Sequence, residues 1–184
     1  MPDDSRDALA APDAGTAPRI ARATVCAGAT TTDYLRAGCG PTVLLLGADV
    51  DSPLLSALAA RFRVIAPLPA ADRAPPAPFS AWLRDFLDGL GVVGASVVAE
   101  EGWALRALRF ALTDPTRVER IALLFRDAPD PALGGDGCHP ELLGCSGHPL
   151  LVVCETAAGA RGRACASTVD DVVRFLAGEP SVGA

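Results

Sequence analysis

Ser96-Val97-Val98-Ala99-Glu100-Glu101-Gly102-Trp103-Ala104-Leu105 is the stretch whose reading decides the fold of this 184-residue chain. Residues 96–99 are small or β-branched and uncharged, the signature of a short strand buried on both faces. Two carboxylates and a glycine then force a sharp turn. An amphipathic helix is expected from Gly102 through Arg106-Ala107-Leu108-Arg109-Phe110-Ala111-Leu112, with Asp114-Pro115 as its stop. A strand, a tight turn and a helix in that order form the repeating unit of a parallel sheet.

The same alternation extends in both directions. Upstream, residues 22–26 and 31–36 are β-prone and separated by Ala27-Gly28-Ala29, which predicts a hairpin. Residues 42–46 form a continuous apolar run ending at Gly47, and 63–67 form a second short one. Between them, residues 54–62 have helical periodicity. After a Pro/Ala-rich loop, Ser80 is placed to cap a helix whose stripe is Trp82, Leu83, Phe86, Leu87 and Leu90. Downstream, residues 120–125 and 149–154 read as strands around a loop-like segment at 127–147. Thr168 precedes a helix carrying Val169, Val172, Val173, Phe175 and Leu176, stopped by Gly178 and Pro180. The expected class is α/β: a mainly parallel twisted sheet with helices on both faces.

Length allows one sizeable core, so residues 20–184 are expected to form a single domain behind a disordered arm at 1–19. The longest apolar run is far short of the ~20 residues of a membrane span. A formal charge of −6 argues against nucleic-acid binding, which calls for a basic face. All sixteen basic residues are Arg, which with abundant Ala, Gly and Pro reads as a GC-rich bacterial genome. The acidic N-terminus lacks the basic and apolar regions of a secretion signal. A cytoplasmic location follows, with the six cysteines (26, 39, 138, 145, 154 and 165) reduced; no C-x-x-C pair is present.

From about residue 22 to 178 the order of these segments resembles the α/β-hydrolase superfamily. Residues 23–41 resemble its opening hairpin, 42–47 the strand leading to the oxyanion loop, and 149–155 the strand before the catalytic acid. The 96–105 stretch resembles the nucleophile elbow, G-x-S-x-G in that family. The matching five residues here are Ala99-Glu100-Glu101-Gly102-Trp103, so Glu101 stands where the serine would be. The oxyanion-loop pair becomes Gly47-Ala48, and only Glu155, or Asp127 after the preceding strand, could stand for the acid. The family's base follows a final strand near the C-terminus, but the only histidines are His139 and His148. That strand and its histidine read as deleted. A Ser-His-Asp triad is excluded on these residues.

Three function classes follow. In the first, the chain binds a small apolar molecule, or assists a non-hydrolytic conversion, at a pocket formed by Gly47, Ala48, Gly102, Trp103, Asp127 and Glu155. In the second it is a structural or interaction protein, pairing with itself or a partner through the sheet edge that a missing strand exposes. In the third, Glu101 is a covalent nucleophile, as its resemblance to epoxide hydrolases and haloalkane dehalogenases implies, with Glu100 and His139 as further acid/base candidates. The plainer reading of Glu100 and Glu101 is that both favour the first turn of a helix, where the dipole welcomes carboxylates. Cys138, His139, Cys145 and His148 share a Gly-rich loop that carries zinc-ligand chemistry. Their C-H-x5-C-x2-H spacing matches no zinc module, so neither a metal nor a cofactor is expected.

Overall fold

Strands whose sequences lack polar alternation occupy the centre of the sheet. Strand β3 (Thr42–Leu46) lies between β4 (Arg63–Leu68) and β5 (Ala95–Ala99), parallel to both. Strands β6 (Val118–Phe125) and β7 (Leu150–Cys154) extend the parallel set. On the other side the antiparallel hairpin of β1 (Ala21–Ala27) and β2 (Thr30–Ala37) joins β4, giving the order β1-β2-β4-β3-β5-β6-β7. This computed structural model describes residues 18–28, 30–68, 78–100, 102–125, 147–154 and 166–179. Of the expected arm at 1–19, only residues 18 and 19 fall within these.

Successive side chains of a strand point to opposite faces, so each central strand feeds two cores. Leu44, Leu46, Val97, Ile121 and Leu123 pack under α2 (Phe79–Gly89) and α3 (Ala104–Thr113). Val43, Leu45, Val98 and Ala122 pack under α1 (Pro53–Ala59) and the C-terminal helix α4 (Ala166–Ala177). Leu44, Leu45, Leu46, Leu58, Leu83 and Leu108 are fully buried. Each such side chain contributes about 1.5–3 kcal/mol of transfer free energy, so the doubly covered sheet dominates stability. The mainly parallel sheet expected from the sequence is the one observed.

Three features tie the hairpin and helices together. The Trp82 indole N–H donates to the buried Thr32 hydroxyl at 3.1 Å, linking α2 to β2. At Gly38 (φ +70°) a Cβ would lie 2.2 Å from the Ala59 carbonyl oxygen and 2.3 Å from that of Phe62, so only glycine fits there. Arg84 of α2 donates two hydrogen bonds to the Asp114 carboxylate at the end of α3, at 3.1 and 2.7 Å.

Local signals at helix starts prove weaker than the hydrophobic stripes. Ser80 does not cap α2: the helix begins at Phe79 behind Pro78, which places Ser80 inside its first turn. Helix α3 begins at Ala104, two residues after the expected Gly102, with Trp103 as its N-cap and no acidic residue in its first turn. Glu100 therefore sits outside the helix, where dipole stabilisation fades. Thr168 lies inside α4, whose first residue is Ala166. Cys26 and Cys39 are free thiols at the surface. Among the described residues, no helix is long and apolar enough to cross a membrane.

Candidate functional site

The C-terminal ends of the parallel strands bring the elbow residues together. Leu46, last residue of β3, pairs with Ala99, last of β5, and Ala99 pairs with Leu123 of β6. Beyond the ladder, the Glu100 amide donates to the Leu46 carbonyl at 3.0 Å, which fixes Glu100 over the end of β3. The Trp103 amide then donates back to the Glu100 carbonyl at 2.9 Å, closing a four-residue turn. Gly102 holds φ +85°, a left-handed value that glycine adopts readily. Finally the Ala107 amide bonds the Trp103 carbonyl at 2.8 Å, starting α3.

Geometry at Gly47 explains why the turn is so close to β3. Gly47 has φ +97°, and a Cβ there would lie 2.8 Å from Trp103 Cδ1 and 3.2 Å from Glu100 Cβ. The indole of Trp103 thus lies directly against the Gly47 backbone. Its ring centroid is 6.0 Å from that of Phe79, at a tilt of 57°, and the Arg106 guanidinium carbon is 5.8 Å from the ring centre on α3. Chemically this is an aromatic floor with one cationic edge. Such a surface offers dispersion and ring contact.

Of the expected pocket residues, the fold brings Gly47, Gly102 and Trp103 together, and the acid/base candidate Glu100 lies beside them. Ala48 turns instead into the core under α1 and α4. His148 lies two residues before β7, at the rim opposite Gly47, with its Nε2 buried and without a hydrogen-bond partner. Glu101, Asp127, Cys138, His139, Cys145 and Glu155 lie outside the described residues. Among the described residues, no three His, Cys, Asp or Glu side chains gather as a metal site.

Two participants escape a motif-based reading. Phe79 opens the α2 stripe and reaches Trp103; its helical spacing to Trp82 and Leu83 was the available signal. Arg106 belongs to the polar side of α3 in the sequence, yet lies over the Trp103 ring, which only tertiary placement reveals.

Solved structures share the fold. An epoxide hydrolase from Vigna radiata, VrEH1, superposes with a TM-score of 0.51 at 22% identity, over 59% of this chain and 41% of its own. A hydrolase described as putative, from Bacillus subtilis, gives 0.51 at 20% identity over 58% and 44%. The naproxen esterase of Bacillus subtilis gives 0.50 at 19% over 60% and 45%. The fold is that of the α/β-hydrolases. No family model matches the sequence, and no curated protein matches it either. The chain spans less than half the length of the α/β-hydrolase-fold structures it resembles.

Proposed function

We propose that this α/β-hydrolase-fold chain binds a small apolar molecule at the rim of Gly47, Glu100 and Trp103, without a Ser-His-Asp triad. The observation that carries this is the Trp103 indole resting on Gly47 between Phe79 and Arg106. The sequence supports it independently, since the elbow position holds Glu101 in place of a serine. Residues 20–184 act as one unit in this reading, and exposed free Cys26 and Cys39 suit a bacterial cytoplasm.

Saturation-transfer NMR with 2-naphthol tests the binding. Transfer is expected with the native chain and lost in Trp103→Leu. Incubation with p-nitrophenyl acetate tests the chemistry: turnover that disappears in Glu101→Gln would sink the non-hydrolytic reading. Intact mass after exposure to an epoxide and a haloalkane addresses the carboxylate-nucleophile alternative, for which a covalent adduct absent in Glu101→Gln is the positive result.

A second reading rests on β7. Among the described residues it pairs on one side only, with β6, and Val152 on it is 37% exposed. An edge of this kind accepts a further strand from a second copy or another protein. Light scattering that reports only monomer across a wide concentration range would remove the self-pairing form.

A further inference from the structure

At the opposite rim, where the parallel strands begin, the structure holds a second site whose chemistry differs from the first. Arg36 on β2 pairs across to Ala21 of β1 on one side and Ile65 of β4 on the other. Arg63 lies two residues before Ile65, so it is a diagonal neighbour of Arg36 on the same sheet face. Diagonal Cβ atoms of this kind lie roughly 7–8 Å apart, within reach of long side chains. Arg36 and Arg63 therefore share the face of β2 and β4 that also carries Tyr34 and Ile65, and Arg19, just before β1, lines the same hollow.

These residues line an open hollow of about 490 Å³. Arg19, Arg36 and Arg63 form its charged side, and Tyr34, Ile65 and Leu90 its apolar wall. Like charges placed across strands repel, and a chain of net charge −6 has carboxylates to spare. Nevertheless, among the described residues none of the three arginines forms an ion pair. Carboxylates on adjoining elements are engaged elsewhere: Asp33 with Arg22 on the other sheet face, Asp88 with Arg117, and Glu179 with Arg61. A hollow lined by one sign of charge concentrates counter-ions, and guanidinium forks match phosphate and carboxylate oxygens.

We infer that this hollow is a binding site for a small amphipathic anion, with a phosphate or carboxylate held by Arg19, Arg36 and Arg63 and an aromatic or apolar body against Tyr34, Ile65 and Leu90. Its volume suits a ligand of metabolite size. It is independent of the reading of the elbow rim, since no residue is shared.

Calorimetric titration of the full chain at low ionic strength decides the matter, with phenyl phosphate, benzoate, inorganic phosphate and phenol as probes. Saturable binding of phenyl phosphate or benzoate is expected, and the tighter of the two identifies the headgroup. That probe should bind about tenfold tighter than inorganic phosphate or phenol, because each of those offers only half of the contact. The double variant Arg36→Gln/Arg63→Gln should weaken it at least about tenfold and flatten its salt dependence. Arg22→Gln, on β1 but facing the other way, should leave it unchanged, with circular dichroism showing that both variants fold. Absence of saturable binding, equal affinity for phenol, or an undiminished affinity in the double variant overturns the site.

Discussion

The two rims of one sheet have opposite character. Where the parallel strands end, an indole lies against a glycine and aromatic packing brings the elbow down onto β3. Where they begin, three arginines face a hollow, and repulsion among them works against closure. One rim is governed by fit, which is short-ranged and insensitive to salt. The other is governed by charge, which is long-ranged and screened. A substitution at either rim should therefore announce its kind through how its effect responds to ionic strength.

The largest effect is expected at Gly38, which lines the arginine hollow yet is fixed by packing. Gly38→Ala drives a Cβ into the carbonyl oxygens of Ala59 and Phe62 and forces a left-handed residue at φ +70°. A loss of about 4 kcal/mol or more, or failure to fold, is expected in urea denaturation. Next comes Gly47→Ala at the elbow. Its Cβ meets the edge of an indole rather than backbone, and φ +97° adds strain, so about 2–3 kcal/mol should be lost. Pairing it with Trp103→Ala in a double-mutant cycle should recover the steric part and leave the backbone part. Neither loss should change between low and high salt.

Smaller effects belong to charge. Arg36→Gln should stabilise the chain by a few tenths of a kcal/mol at low salt, through relief of repulsion, and the gain should vanish at high salt. Unchanged stability at both ionic strengths would mean that the three arginines do not sense one another. Smallest is the pH response of Asp33, on the opposite face of the same hairpin. The Thr24 hydroxyl and the Arg22 guanidinium, both at 2.7 Å, hold its carboxyl below the usual value of 3.8. A depressed folded value means that the stabilisation is present above the unfolded value and is lost as pH falls through the folded one. Carboxyl-carbon NMR should show Asp33 titrating below an ordinary aspartate, and Thr24→Ala should move it upward.

Buried periodicity was the readable part of this sequence. Residues 42–46 and 96–99 announced central strands because nothing charged interrupts them, and the stripe of Trp82, Leu83, Phe86 and Leu87 is the buried face of α2. Chain ends of helices were less readable. Ser80 and Thr168 have capping chemistry, but both lie inside the first turn of their helices. The elbow was legible as a turn, through Gly102 between a strand and a helix. Its contents were not, because the approach of Trp103 to Gly47 joins residues from two loops that no local pattern connects. The arginine row was hidden for a similar reason. Arg19, Arg36 and Arg63 look like scattered surface charges until the register of β2 and β4 and the segment leading into β1 bring them to one hollow.

The chain's two tryptophans end up in unlike surroundings. Trp82 is buried and hydrogen-bonded to Thr32 beneath the hairpin, whereas Trp103 is only partly covered at the elbow. Their emission should therefore separate by wavelength, the enclosed indole bluer than the exposed one. Replacing each in turn by phenylalanine yields a pair of native optical reporters, one for the hairpin and one for the elbow. Stopped-flow traces from that pair would reveal which half of the sheet lets go first.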